Sequence, residues 1–221
     1  MTDVLDTIAI PDDPEVEQFV FENADWSFYE LILKRVGDRR VFVTFDGERL
    51  EVMSPSPEHE RNTSRLEKLV WILFEELRVD FESLGSFTLK TRKANRGLEP
   101  DRCFYTRNAN AIRHKRRIVL GQDPPPDLAI EIEVTRRLLD RVGVYERLGV
   151  PEVWCYDGQR LRILVLQPTG GYVDAPRSPT LPNLPPEEVH RLLQRAWEIS
   201  EPAWMDEVRA WIRHNLLKPA Q

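Results

Sequence analysis

The sequence contains few cysteines, with only Cys103 and Cys155 among 221 residues. Two isolated cysteines exclude a disulfide-rich scaffold and a cysteine-rich zinc site, and they fit a reducing cytoplasm. No apolar run approaches the roughly 20 residues that a membrane helix needs. The acidic start of the chain also lacks the basic and apolar regions of a signal peptide. We therefore expect a cytoplasmic protein that has no membrane partner.

Several common catalytic signatures are missing as well. The chain has no glycine-rich phosphate loop, no G-x-S-x-G nucleophile motif and no H-E-x-x-H zinc motif. Its four histidines are scattered and do not suggest a zinc cluster. The composition, with 41% hydrophobic and 31% charged residues, is that of an ordinary globular protein. A net charge of −6 argues weakly against a protein whose whole surface binds nucleic acid.

Positive charge is nevertheless concentrated in one region, because residues 90–117 carry ten Lys or Arg residues and only two carboxylates. Two interpretations stay open: solvated loops, or a rim that binds phosphate groups, since clustered Lys and Arg supply most sequence-independent affinity for nucleic acid. The lack of interleaved aromatic residues argues against a platform that stacks single-stranded bases. The candidate nucleic-acid-binding residues are Arg92, Lys93, Arg96, Arg113, Lys115, Arg116 and Arg117.

Hydrophobic periodicity predicts a mixed-sheet α/β core. Apolar spacing of the helical kind predicts helices that begin near Asp25 and near Ser56, a helix over 136–148, and two C-terminal helices near 186–197 and 203–217. Alternating runs around Asp46-Gly47 and Asp157-Gly158 predict two hairpins. The segments 81–91, 98–106 and 124–135 each predict one strand.

This order of elements predicts one main domain over residues 25–185. Residues 1–24 lack periodicity and are expected to form an N-terminal arm. Residues 186–221 are expected to form a helical extension packed on the same domain. There, Trp197, Trp204 and Trp211 are predicted to clamp the helices to the domain, with a dimer seam as the alternative.

The strand 127–135 places its acidic residues on one face. Asp127, Glu131 and Glu133 alternate with apolar residues. The same parity puts Asp101 and Glu99 on one side of the preceding strand. If the two strands are neighbours, their carboxylates form one cluster that needs a proton or a hard cation such as Mg²⁺. The alternative is an edge strand whose polar face lies in water.

Four segments together resemble the Uma-type (Uma two) restriction endonuclease family, a branch of the PD-(D/E)XK nuclease superfamily. They are VMSPSPEHER, GLEPDRCFY, PPPDLAIEIEVT and YERLGVPEVWCYDG, in the family's order, and the resemblance runs from about Val41 to Tyr172. It implies a restriction-endonuclease-like mixed β-sheet core flanked by helices, with an N-terminal hairpin and C-terminal helices. It also implies a metal-dependent DNA endonuclease that hydrolyses phosphodiester bonds.

The resemblance assigns the metal ligands by position. Asp101 would be the family's PD aspartate and Glu131 its acidic ligand, together holding Mg²⁺ or Mn²⁺ with the carbonyl of Ile132. Glu133 falls at the superfamily's lysine position, where it would serve as a third ligand or as the base for the attacking water. Many family members carry a lysine four residues before a tyrosine, and Arg141 is the equivalent here. Arginine can hold a phosphate but is a poor base.

The resemblance also implies a position at the start of the long helix. His59 fits the family's "EH" pair, and Glu58 or Glu60 could join the site. Lys90, on the strand before the PD segment, is the remaining candidate for a positive group near the reacting phosphate.

Glu133 in place of the lysine keeps a second function open, a catalytically weak or inactive nuclease-fold protein that binds nucleic acid or a protein partner. A weaker third possibility is an interaction module built around the C-terminal tryptophans. Cleavage of both DNA strands would favour a homodimer or a higher homo-oligomer, because two antiparallel strands need two sites related by a twofold axis.

Overall fold

The computed structural model describes residues 18–37, 39–134 and 138–217. Its helices are α1 (Trp26–Val36), α2 (Pro57–Leu77), α3 (Ala109–Ile112), α4 (Arg141–Leu148), α5 (Pro186–Arg195) and α6 (Glu201–Asn215). Its strands are β1 (Gln18–Phe21), β2 (Phe42–Phe45), β3 (Leu50–Met53), β4 (Glu82–Gly85), β5 (Leu89–Thr91), β6 (Arg96–Leu98), β7 (Arg102–Tyr105), β8 (Leu128–Ile132), β9 (Glu152–Tyr156), β10 (Leu161–Leu166) and β11 (Tyr172–Asp174).

The strands form two sheets. The smaller sheet has five antiparallel strands in the order β1-β3-β2-β6-β5. The larger sheet has six strands in the order β11-β10-β9-β8-β7-β4, and only β8 and β9 run parallel. The predicted mixed sheet flanked by helices is therefore confirmed, together with the N-terminal hairpin β2–β3 and the C-terminal helices.

The chain passes from one sheet to the other at two places where a single strand was predicted. The segment 81–91 is divided between β4 in the large sheet and β5 in the small one, and 98–106 is divided between β6 and β7. Gly85, with φ of 61°, ends the first strand, and Pro100 has no N–H to donate to a ladder. The prediction of one continuous strand in each segment is wrong, and Asp101 consequently lies where the two sheets meet.

Two further predictions, the N-terminal arm and the start of the helix before Gly149, differ from the structure in detail. Strand β1 was not predicted, and it pairs with β3 inside the range expected to be an arm; residues 1–17 lie outside the described residues. Helix α4 begins only at Arg141, because the Asp140 side chain accepts the Gly143 N–H at 3.0 Å and caps the helix there. Residues 135–137 also lie outside the described part.

Strand β8 is central and is covered on both faces. Ile130 and Ile132 pack with Trp154 in the core beneath α2, α5 and α6, whereas Ala129 packs with Tyr145 of α4 on the other side. All five residues of β8 are buried. The alternative of a water-exposed edge strand is therefore wrong. No helix in the described ranges combines the length and apolarity needed to cross a membrane.

Trp204 and the partly buried Trp211 both pack against the main core, so two of the three tryptophans anchor the C-terminal helices. Trp204 is fully buried, and its Nε1 donates a hydrogen bond of 2.7 Å to the carbonyl of Leu192 in α5. Trp197 is 43% exposed and instead lies against the guanidinium groups of Arg61 and Arg65, at 4.8 and 4.2 Å from the ring centroid. Trp204 therefore supplies the clamp between α5 and α6.

Replacing Trp204 by alanine is expected to lower the free energy of unfolding by about 3–5 kcal/mol, because a fully buried ring is lost. The matched control is Trp71→Ala, which removes a ring that is 47% exposed and touches Phe81; its cost should be on the order of 1 kcal/mol. Urea unfolding followed by circular dichroism measures both. Equal midpoints for the parent and Trp204→Ala would contradict the clamp.

Candidate functional site

The structure brings Asp101 and Glu131 together at the junction of the two sheets. Strands β7 and β8 are antiparallel neighbours, with Arg102 opposite Ile130. Continuing that register by one residue places Asp101 opposite Glu131, and opposing side chains of an antiparallel pair lie on the same face. Both carboxylates are buried, and the backbone N–H of Ile132 donates a bond of 2.6 Å to Asp101 Oδ2.

Arg141 forms a two-bond fork with Glu131. Nε lies 2.8 Å from Oε2, and Nη2 lies 2.6 Å from Oε1. The same guanidinium donates to Thr44 Oγ1 at 2.5 Å and to the carbonyl of Glu99 at 2.6 Å. Burial alone would lower the pKa of Arg141, but the negative charge of Glu131 outweighs it, and the pKa is raised. A permanently charged guanidinium thus neutralises Glu131 inside the protein.

The hydroxyl of Tyr145 gives Glu131 a further donor. It donates to Oε1 of the carboxylate. Burial, followed by the negative charge of Glu131, raises the pKa of Tyr145 well above its ordinary value. The hydroxyl therefore keeps its proton and remains a donor. Tyr145 and Arg141 lie four residues apart on α4, so one helix face supplies both donors.

His59 enters the site from the first turn of α2. Its backbone N–H is capped by Ser56 Oγ at 3.2 Å. Its Nε2 lies 3.1 Å from Asp101 Oδ2, and the side chain is 1% exposed. Glu60 points elsewhere and lines a cleft of about 300 Å³ with Glu99 and other residues, while Glu58 is exposed. Of the predicted helix-start residues, His59 is the one placed beside the carboxylates.

Lys90 and Glu133 have other contacts. The ammonium of Lys90 is 2.7 and 2.8 Å from the carboxylate oxygens of Glu30 in α1. Glu133 lies beyond the end of β8, where its backbone N–H donates to the carbonyl of Tyr156 at 2.8 Å. Its side chain is half-buried next to Cys155. Burial, followed by the charges of Glu133 and Glu131, raises the pKa of that thiol.

The carboxylate oxygens of Asp101 and Glu131 are of the type that binds divalent ions, but they already accept hydrogen bonds within the protein. Asp101 and Glu131 offer carboxylate oxygens, which Mg²⁺ and Mn²⁺ prefer. Within the described residues, however, no three His, Cys, Asp or Glu side chains are placed together to hold a metal ion. The fork of Arg141 also covers both oxygens of Glu131. Oε1 also accepts the Tyr145 hydroxyl, so an ion can reach that oxygen only after one of these donors has moved.

The basic region 90–117 divides into engaged and open side chains. Arg113 pairs with Asp80 and Glu82 at 2.5 and 2.7 Å, and Lys115 pairs with Asp123. Lys93 and Arg96 line a groove of about 490 Å³. Arg147 of α4, which was not predicted as a binding residue, also lines that groove. The remaining candidates, Arg92, Arg116 and Arg117, are exposed and make no ion pair with any residue that the structure describes.

Two residues of the hairpin β2–β3 reach the site without having been predicted. Thr44 accepts the Nη1 bond of Arg141, and Glu51 lies opposite Thr44 in the sheet. Glu51 is 1% exposed, and its Oε1 accepts the backbone N–H of Leu138 at 2.8 Å. The alternation of this strand indicates only that Glu51 shares a face with Met53. Nothing local in the sequence shows that the face is buried.

Glu99, which strand parity placed on the same side as Asp101, is a further carboxylate near the junction. Its side chain accepts bonds from Thr88 Oγ1 at 2.9 Å and from the backbone N–H of Val43 at 3.3 Å. Burial raises the pKa of Glu99, although these two donors and the charge of Arg141 act in the opposite direction. A raised pKa in the folded state means that the folded protein binds this proton more tightly than the unfolded chain does.

The raised pKa of Glu99 predicts a pH-dependent effect of Glu99→Gln. In the parent, the contribution of this group is fully present below the unfolded pKa and is lost as the pH rises through the folded pKa. Glutamine carries no charge and can still accept from Val43 while it donates to Thr88. The variant should therefore gain stability relative to the parent between pH 4.5 and pH 7.5, measured by urea unfolding at both values. A difference that is independent of pH, or that falls with rising pH, would contradict this account.

Comparison with known proteins gives a family and several solved structures that match. The family model Uma2, described as "Putative restriction endonuclease", matches residues 27–199. A crystal structure of a putative nuclease belonging to DUF820 from Anabaena variabilis ATCC 29413 aligns at 13% sequence identity with a TM-score of 0.49, covering 83% of this chain and 98% of that one. No curated protein matches. The family model spans well over half of the sequence, and the chain belongs to the Uma2 restriction endonuclease family.

Proposed function

We propose that the protein is a Mg²⁺- or Mn²⁺-dependent endonuclease that hydrolyses phosphodiester bonds in DNA. The observation that carries this proposal is the buried pair Asp101 and Glu131, held opposite each other by the register of β7 and β8. Membership of a nuclease family supports the same reaction class. A buried ion pair such as that of Glu131 with Arg141 is weak evidence for stability, so its retention favours a task other than stability.

The residues of the site would have different roles, which follow from the chemistry of their side chains. Asp101 and Glu131, with the carbonyl of Ile132, would hold the ion, which when bound supplies a Lewis acid for the phosphate and a more acidic water. His59 orients Asp101 through its Nε2 contact. Arg141 stays protonated and can bind a phosphate oxygen, but it cannot act as a base. Glu133, beyond the end of β8, is the carboxylate left to accept a proton or to serve as a third ligand.

The substrate surface in this proposal is the basic groove beside α4. Lys93, Arg96 and Arg147 line it, and clustered positive side chains bind the phosphate backbone irrespective of base sequence. Cutting both strands would favour a homodimer or a higher homo-oligomer. The two cysteines are free and buried, which is compatible with action in a reducing cytoplasm.

A second candidate function is binding of nucleic acid, or of a protein partner, without cleavage. The observation that favours it is the fork of Arg141, because a buried guanidinium already occupies both oxygens of Glu131. In this reading the positive charge of Arg141 permanently replaces that of the ion. The two functions make different predictions for DNA cleavage.

Asp101→Asn is expected to reduce the nicking of supercoiled DNA in Mg²⁺ or Mn²⁺ by at least about 100-fold, because it removes a charged ligand from the site. Asp174→Asn, on the exposed edge strand β11, is the matched control and should cut like the parent. Agarose gels resolve the nicked form. Equal rates for the parent and Asp101→Asn would refute the proposed site, whereas a parent that binds DNA but never cuts it would support the second function.

The double variant Lys93→Gln/Arg96→Gln should weaken binding to duplex DNA and reduce the slope of log K against log salt by about 2, since each phosphate contact contributes roughly 0.9. The double variant Arg113→Gln/Lys115→Gln removes the same charge from side chains that are engaged in ion pairs, and its slope should change less. Fluorescence anisotropy at several salt concentrations gives both slopes. If the two variants behave alike, the groove is not the binding surface.

A further inference from the structure

Glu51 is a buried carboxylate to which the proposed mechanism gives no part. Its side chain is 1% exposed on β3. One oxygen accepts the backbone N–H of Leu138, and the other, Oε2, has no hydrogen-bond partner among the described residues. A buried carboxylate oxygen without a donor is costly. Oε2 of Glu51 can therefore accept a hydrogen bond from a cationic side chain.

The guanidinium of Arg141 is hydrogen-bonded to the strand that pairs with the one carrying Glu51. Thr44 and Glu51 oppose each other in the pairing of β2 with β3, so their side chains share a face and their Cβ atoms lie about 4.5–5.5 Å apart. Thr44 Oγ1 accepts the Nη1 bond of Arg141 at 2.5 Å. The donor to Glu51 Oε1, Leu138, stands three residues before Arg141 in the sequence. Thr44 thus links the guanidinium to the strand that carries Glu51.

Arg141 and a divalent ion compete for the same oxygens. The fork takes both oxygens of Glu131, which are the atoms that the ion would use. Two positive charges on one buried carboxylate repel each other strongly. Arg141 cannot lose its proton to relieve that repulsion. Because Arg141 and Tyr145 already fill Oε1, an ion at that oxygen would displace the guanidinium, and a buried guanidinium without a carboxylate partner is strongly destabilising.

We propose that Glu51 is the positioning residue that accepts the guanidinium of Arg141 when it leaves Glu131. This inference rests on the metal-dependent function proposed above. In the ligand-free protein Arg141 holds Glu131. In the ion-bound protein Nη1 passes from Thr44 to the free oxygen of Glu51, so that one buried ion pair is exchanged for another and no charge is left unpaired.

A stability cycle tests the exchange without any metal. Glu51→Gln is made in the parent and in the Glu131→Gln variant, and urea midpoints are measured for the four full-length proteins. The glutamine oxygen can still accept the N–H of Leu138, so that structural contact is kept. We expect no fall in midpoint in the parent background and a clear fall in the Glu131→Gln background, where Arg141 depends on Glu51. Equal shifts in the two backgrounds would overturn the proposal.

Titration calorimetry with Mn²⁺ gives an independent readout on singly substituted protein. Glu51→Gln should weaken Mn²⁺ binding at least tenfold, and Glu51→Asp, which restores the charge, should recover part of the loss. Glu48→Gln, an exposed glutamate in the same hairpin, should bind like the parent. Unchanged affinity in Glu51→Gln would overturn the proposal. A parent that binds no Mn²⁺ would overturn the metal dependence of the proposed function, and the stability cycle would then decide alone whether Glu51 accepts Arg141.

Discussion

The buried ion pair of Arg141 and Glu131 is the interaction on which the rest of the site depends. It joins α4 to the central strand β8, and the additional bonds of Arg141 to Thr44 and to the carbonyl of Glu99 join α4 to the small sheet. One guanidinium therefore connects three parts of the fold. A buried pair of this kind is weak evidence for stability, and its retention is better explained by what the carboxylate can bind.

The path of the chain between the sheets explains why the carboxylates meet. The chain leaves the small sheet after β6 and enters the large sheet at β7, and Asp101 stands at that crossing. Its oxygen is fixed there by His59 from α2 and by the N–H of Ile132 from β8. Asp101 is thus held by two elements that are distant in sequence, and Glu131 by a third, α4. The site is built from the packing of the fold rather than from one loop.

The sequence could predict the parts of this arrangement that follow from local pattern. Strand parity predicted that Asp101 and Glu131 lie close together, and the resemblance to the family, through the spacing to Tyr145, pointed to Arg141. Local pattern could not show that Lys90 binds Glu30 of α1, nor that Glu51 faces a buried junction, because both facts depend on contacts between distant segments. The division of segments 81–91 and 98–106 between the two sheets was not predicted for the same reason. The sheet that a strand joins depends on its neighbouring strands, which can lie far away in the sequence.

Nuclear magnetic resonance of arginine side chains tests the central claim most directly. In protein labelled with ¹⁵N at arginine, the account predicts that the Nη protons of Arg141 exchange slowly with water. This signal should be absent in Arg141→Lys and exchange faster in Glu131→Gln, since burial and hydrogen bonding protect such protons. Addition of Mg²⁺ should shift that signal while it stays protected. Exchange of the Arg141 protons at the rate of exposed arginines would contradict the account.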